Sequence, residues 1–263
     1  MNNPWEETAA QIREFGEMGF DFFELTVEPP YATPDKLKDL KREIDDALSS
    51  YNFGVIAHCP WYFSVAHPYS SVQKAINAEF KRAFEAAALF GAKKITVHTE
   101  WMPPHLQERQ LMVAKTIETL EWLAGVAQEQ GMRLLVENIN SFSFCIRDFE
   151  VVFSKVDAGL TLDVGHACIE GEFENYIKKL RKKVEHIHLH DNDKRSDLHL
   201  PLGAGRMGIA GVVRRLKEFY SGTITLEVHS EDAEYLKFSR DKLEILWYGR
   251  KKHLENKKYM GLG

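Results

Sequence analysis

Short β-branched or aromatic runs recur roughly every 25 to 40 residues along this 263-residue chain, with amphipathic helical patterns between them, as repeated βα units require. The runs are DFFELTV (21–27), GVIAHCP (54–60), KITVHTE (94–100), RLLVENI (133–139), GLTLDVGH (159–166), VEHIHLH (184–190) and TITLEVH (223–229). Between them, NAEFKRAFEAAALFGA and QLMVAKTIETLEWLAGVAQEQG space apolar residues helically and run into a glycine, a helix-stop signal. Strands that alternate with helices predict a parallel sheet, and this length favours closure into a (β/α)8 TIM barrel. A doubly wound sheet is the weaker alternative, because no G-x-G-x-x-G follows the first strand. No linker or low-complexity tract divides the sequence, so residues 1–263 are expected to form a single barrel domain. Only seven strands can be found, and the chain opens on a helix, about Pro4 to Glu14. The usual first strand is therefore missing, replaced by another segment, or encoded upstream.

Composition narrows the function classes. Charged residues make up 28% and hydrophobic ones 44%, and the net charge is -5, so the surface as a whole should not attract nucleic acid. Bound divalent cations would still make one pocket locally positive. The opening MNNPWEETAA is too polar and acidic to read as a secretory leader, and no apolar run is long enough to span a bilayer. Cys59, Cys145 and Cys168 form no C-x-x-C; they read as reduced thiols of a cytoplasmic protein, small core residues rather than zinc ligands.

Polar residues fall systematically at the strand ends. From the second run onward, each ends in a potential metal ligand: His58, His98, Glu137, Asp163, His188 and Glu227. In a βα barrel the carboxyl ends of the strands converge on one mouth, where active sites are built. A lone strand-end histidine is a hydrogen-bonded structural residue about twice as often as a ligand. Six such positions in succession reverse that preference.

The densest stretch, HIHLHDNDKRSDLHLPLGAG (186–205), extends the pattern. His186, His188 and His190 alternate on one strand face, and His188 is expected at ligand depth. His186, deeper, is expected to be structural, while His190 is either a partner behind the ligands or substrate-facing. In SDLH, Asp197 and His199 are two apart, which in an extended segment puts them on the same side. In DVGH, Asp163 and His166 flank a strand-to-helix turn and can both point into the mouth. Ligating imidazoles usually donate their other N–H to an oxygen, so the nearby carboxylates matter as well.

The segments HCPWYFSVAHP, KKITVHTE, LLVEN, LTLDVGHACIEGE, HIHLHDNDKRSDLHLPLGAGRMG and ITLEV together resemble the xylose-isomerase-like barrel superfamily, over nearly the whole chain. That superfamily holds metal-dependent sugar isomerases and epimerases and the endonuclease IV family of abasic-site repair enzymes. The resemblance implies nine metal ligands in the endonuclease IV pattern: His58, His98, Glu137, Asp163, His166, His188, Asp197, His199 and Glu227. The sugar branch implies a subset, Glu137, Asp163, His188 and Glu227, around a single divalent metal. One to three ions are expected, zinc or manganese.

Two chemistries follow from these residues. In a sugar or sugar-phosphate isomerase or epimerase, Glu137 and Glu227 form the catalytic acid–base pair that removes and returns a proton beside a carbonyl. Trp61, with Tyr62 and Phe63, offers faces for a sugar ring, and Trp61, His190 and Lys194 are the expected substrate contacts. The second chemistry is an endonuclease IV-like, trinuclear-zinc phosphodiesterase acting on abasic-site DNA. Against DNA, the acidic, proline-rich ELTVEPPYATPDK lacks the arginine-bearing loop of that branch, and HTEWMPPH lacks its glycine-rich turn. The basic runs KKLRKK (178–183) and RKKHLENKK (250–258) are about three times as often solvated faces as phosphate contacts. A third class, a catalytically silent zinc or sugar binder, would not need the glutamate pair. The sugar reading leads, with a small sugar-like substrate as partner, no membrane, and a homo-oligomer wherever a bare sheet edge needs covering.

Overall fold

A computed structural model of the chain describes residues 1–99, 106–139 and 144–250. Its contacts cluster in two compact units, Met1–Thr161 and Leu162–Gly263. The first holds α1 (Thr8–Glu17), β1 (Phe22–Thr26), α2 (Pro34–Asp39), α3 (Lys41–Ser50), β2 (Gly54–His58), α4 (Ser70–Ala88), β3 (Lys94–His98), α5 (Leu106–Glu129), β4 (Arg133–Glu137) and α6 (Ile146–Lys155). Strand β5 (Gly159–Asp163) carries its last two residues into the second unit. There follow α7 (Val164–Ile169), α8 (Phe173–Leu180), β6 (Val184–Leu189), α9 (Ile209–Lys217), β7 (Ile224–Leu226) and α10 (Glu234–Tyr248).

All seven expected strands are present, ordered β1 to β7 as in the sequence, with helices in the intervals. In the first unit β1 to β5 pair in parallel, and the β3–β4 register sets His98 directly beside Glu137. In the second unit β6 and β7 pair in parallel, with His188 beside Thr225. Strand β4 is apolar on both faces, with Leu134, Leu135 and Val136 all buried, and Leu160 and Leu162 of β5 are buried as well. Strands sandwiched on both faces read as continuous hydrophobic runs, which is why the sequence shows them as blocks rather than alternations.

The opening helix begins later than expected, at Thr8 instead of Pro4. The cause is local: the Asn3 side chain accepts from the Trp5 amide at 3.1 Å, and Gln11 exchanges hydrogen bonds with the Asn3 backbone at 2.6 and 2.9 Å. These side-chain bonds hold residues 3–6 in a turn that competes with helix. Just before it, Asn2 docks on β1, its amide donating to the Glu24 carbonyl at 3.3 Å and its side-chain oxygen accepting from the Thr26 amide at 2.7 Å. Over these two hydrogen bonds a buried asparagine lies along β1.

In the second unit Asp191 organises the loop that follows β6. Its carboxylate accepts from the amides of Asn192 (2.9 Å), Gly203 (2.8 Å) and Met207 (3.2 Å), and its backbone bridges Leu200. A Cβ on Gly205 would stand 2.3 Å from the Asn192 carbonyl, so the LPLGAG turn needs glycine there. Asp191→Asn puts an NH2 group where only acceptors serve and is expected to cost about 3 kcal/mol. Urea unfolding checks it; an unchanged midpoint would mean that the loop is held by other contacts.

Helix α8 buries Tyr176, Ile177 and Leu180 and exposes Lys178 and Lys179, so KKLRKK forms the solvated face expected of it. Of RKKHLENKK only Arg250 lies within the described residues. All three cysteines are free thiols, but only Cys59 is a core residue; Cys145 is exposed at the start of α6, where its backbone amide donates to Asp148. Among the described residues no helix is long and apolar enough to cross a membrane.

Candidate active site

Each unit carries one group of side chains that could hold a cation. In the first unit, His58, His98 and Glu137 stand at the carboxyl ends of β2, β3 and β4. His58 Nε2 lies 3.1 Å from Glu137 Oε2 and 3.2 Å from His98 Nε2, and His98 Nε2 lies 3.3 Å from the same glutamate oxygen. His58 and Glu137 are buried. Three donors on neighbouring strand ends thus face one point at separations that suit a shared cation or proton.

In the second unit, Asp163 ends β5 and caps α7, its Oδ1 accepting from the His166 amide at 2.6 Å. This explains the D-V-G-H spacing: the carboxylate that ends the strand also starts the helix that carries the imidazole. His166 Nε2 lies 3.1 Å from Asp197 Oδ2, and His199 Nε2 lies 3.2 Å from Asp197 Oδ1. Asp197 and His199 do share a side as expected, although His199 achieves it in the left-handed region, with φ 46°. His188 Nδ1 lies 3.2 Å from Glu227 Oε1. His188 is the penultimate residue of β6 and Glu227 the first beyond β7, a one-residue departure from strict strand-end placement.

The charges in this second group are coupled. Burial works against the Asp197 carboxylate, yet hydrogen bonds from His166 and His199 hold it far below the usual carboxylate range. Burial likewise opposes the His199 cation, but its bond to Asp197 and the charges of Glu227, Asp197 and Asp163 raise it to about 9. His229, stacked on His199 at 4.1 Å, is pushed down to about 4 by burial and by the neighbouring His199 and His190. The signs oppose one another. The raised His199 contributes stability that is full below its ordinary 6.5 and lost as pH climbs through about 9. The depressed His229 contributes stability that is full above 6.5 and lost as pH falls toward 4. A stability maximum near neutrality is expected, with an alkaline loss on the order of 2–3 kcal/mol that Asp197→Asn flattens. Melting curves in chelator across that range check it, and a wild-type curve already flat above neutrality would contradict it.

The other expected residues are placed as follows. His186 is buried between Thr223 and Thr225, with ring nitrogens 2.7 and 3.1 Å from their hydroxyls, the structural role foreseen for it. Trp61 is 65% exposed and meets Tyr62 edge-on at 5.5 Å. Lys194 is exposed in a turn whose amide donates to Asn192 Oδ1. His190 is fully buried, stacked on His199 at 4.0 Å. Three residues escaped the sequence reading. Glu28, just beyond β1, is a buried carboxyl raised by desolvation against the pull of His58 and the Trp61 amide. Asp191 was visible only as one acid among several in HDND. His229 lies two residues after Glu227, on the same side of an extended segment, and that spacing was the available signal.

Residues 12–246 match the family model described as "Xylose isomerase-like TIM barrel". The chain belongs to that family. Among solved structures, the xylose isomerase-like fold here is similar to a D-tagatose 3-epimerase-like protein, with TM-score 0.80 and 23% identity over 97% of this chain and 96% of that one. Among curated relatives, fructoselysine 3-epimerase of Escherichia coli O157:H7 is 22% identical over 82% of this chain and 84% of its own length. A probable endonuclease 4 of Symbiobacterium thermophilum is 26% identical over 72% of this chain and 76% of its own length. Both branches of the family, sugar epimerases and endonuclease IV, are therefore represented among its relatives.

Proposed function

We propose that the protein is a divalent-metal-dependent epimerase or isomerase of a ketose-like sugar, with Glu137 and Glu227 as its acid–base pair. The observation that carries this reading is that each glutamate is buried at the end of its strand against an imidazole, His58 at 3.1 Å for Glu137 and His188 at 3.2 Å for Glu227. A carboxylate so placed is oriented and kept out of bulk water, the condition for moving a proton to and from carbon. The epimerase relatives support the same choice.

The donor set fits a cation. Carboxylates mixed with imidazoles and free of thiolates suit Mn²⁺, Mg²⁺, Co²⁺ or Zn²⁺. Glu137, Asp163, His188 and Glu227 are the ligands that the sugar-branch pattern assigns, and His58, His98, His166, Asp197 and His199 are further candidate ligands. A bound cation supplies polarisation of the substrate carbonyl. Glu137 or Glu227 then takes the proton from the adjacent carbon and the other returns one from the opposite face, which inverts that centre. Trp61 offers an exposed indole face against the sugar, and Lys194 an ammonium for its hydroxyls.

The endonuclease IV-like reading is the alternative, favoured by the presence of all nine ligand positions and by the endonuclease 4 relative. One experiment separates the two. The protein is loaded with Mn²⁺, Co²⁺ or Zn²⁺ and incubated in parallel with D-tagatose, D-allulose and fructoselysine and with an abasic-site duplex. Epimer formation without strand cleavage is expected; cleavage without epimerisation overturns the proposal.

A further inference from the structure

Strand β1 ends on polar groups that the proton chemistry does not use. Thr26 is its last residue, and the parallel register sets it beside His58. Register partners leave a sheet on the same face, so the two side chains stand side by side, about 4.8 Å apart from strand to strand. His58 in turn lies 3.1 Å from Glu137 Oε2. The Val27 amide turns toward β2, donating to the His58 carbonyl at 2.9 Å. The Thr26 amide therefore turns to the opposite edge, where it donates to Asn2 Oδ1 at 2.7 Å. Glu28, two residues beyond Thr26, is buried and accepts from the Trp61 amide.

Two atoms in this corner are unsatisfied. Asn2 is 3% exposed and Thr26 2%, and among the described residues neither Asn2 Nδ2 nor Thr26 Oγ1 has a hydrogen-bond partner. The bond from the Thr26 amide fixes which way the asparagine faces, since a flipped amide would set NH2 against N–H. Nδ2 is thus a donor, and Oγ1 can both donate and accept. A buried polar group left unpaired costs about 1–3 kcal/mol, so each such group calls for a partner. The partner's chemistry follows from the surroundings. Glu28 and Glu137, both carboxyls, flank His58 and oppose an anionic group. The amide and the hydroxyl are neutral. A hydroxyl, which donates and accepts at once, complements both atoms.

We propose that Asn2 Nδ2 and Thr26 Oγ1 form a hydroxyl-binding subsite at the end of β1, which holds the sugar through hydroxyls remote from the reacting carbon and so determines which sugars are accepted. The subsite rests on the ketose reading above and adds the residues that grip the rest of the sugar. Glu28 holds the backbone of Trp61 beside it, which brings the indole offered to the sugar face to the same corner. A water that fills the position in the free protein gives way to a hydroxyl that reproduces its bonds. Asn2 and Thr26 move no proton, so their effect falls on binding and not on turnover.

The test is steady-state kinetics of the Mn²⁺-loaded, full-length chain on D-tagatose and D-allulose. Thr26→Val keeps the shape of the side chain and removes the hydroxyl; KM is expected to rise about 10- to 100-fold with kcat within about threefold. Thr26→Ser, which keeps the hydroxyl and loses the methyl, is expected to retain the wild-type KM. Without substrate, Thr26→Val should melt at or above the wild-type temperature, because an unpaired buried hydroxyl has gone. Asn2→Asp keeps the acceptor for the Thr26 amide and loses the donor; it is the second variant should the valine protein not fold, and the same rise in KM is expected. A wild-type KM in whichever of the two folds, or a serine variant as impaired as the valine one, overturns the subsite alone. No turnover of any ketose by the wild-type protein overturns the function reading and the subsite with it.

Discussion

Replacing Glu137 or Glu227 by glutamine is expected to lower turnover of a ketose substrate by about 10³-fold, with the fold retained. Glutamine keeps the shape of the side chain and removes its ability to accept and return a proton. Both carboxyls are buried, so bulk water does not readily substitute for them. His58 and His188 would also lose their charged partners at 3.1 and 3.2 Å, which adds to the loss. In the proposed proton circuit the two glutamates act together, so the double variant should be scarcely slower than either single one. If the loss came only from weaker cation binding, excess Mn²⁺ would restore the rate; it is expected not to. Steady-state kinetics, read beside thermal melting of each variant, check this, and retention of more than a tenth of the wild-type rate would contradict it.

Gly165→Ala is expected to be the most damaging single methyl in the second unit. A Cβ at this position would lie 2.0 Å from His190 Nε2 and 2.2 Å from its Cε1, well inside contact distance. The imidazole has little room to retreat, because His199 stacks on it at 4.0 Å and His229 backs His199 at 4.1 Å. Overpacking of this kind costs about 1–3 kcal/mol in an ordinary core. A ring fixed inside a stacked column should place the variant at or above the upper end. Denaturant unfolding measures the cost. Wild-type stability would mean that the column is not rigid.

The element order was legible because buried parallel strands appear as apolar blocks: LLV in β4 and LTL in β5 are visible without any tertiary information. The candidate ligands were legible because barrel chemistry sits at strand ends, so His58, His98, Glu137 and Asp163 close their strands as expected. Side-chain competition with the backbone was not legible. Asn3 and Gln11 delay α1, and Asn2 docks on β1, through bonds that no periodicity encodes. The imidazole column also lay beyond the sequence, since it depends on a left-handed backbone at His199 and on contacts between residues 190, 199 and 229. Glycine at 165 could be read as a turn residue, but its actual role is to leave room for His190.

The most direct test of the central claim is a solvent-label experiment: the Mn²⁺-loaded protein and a ketose incubated in D2O, with substrate and product separated and examined by mass spectrometry and NMR. A single deuterium on the carbon beside the carbonyl of the epimerised product, absent with Glu137→Gln and Glu227→Gln, is the predicted result. Product formed without label, or no exchange into any ketose while an abasic-site duplex is cleaved, would contradict it.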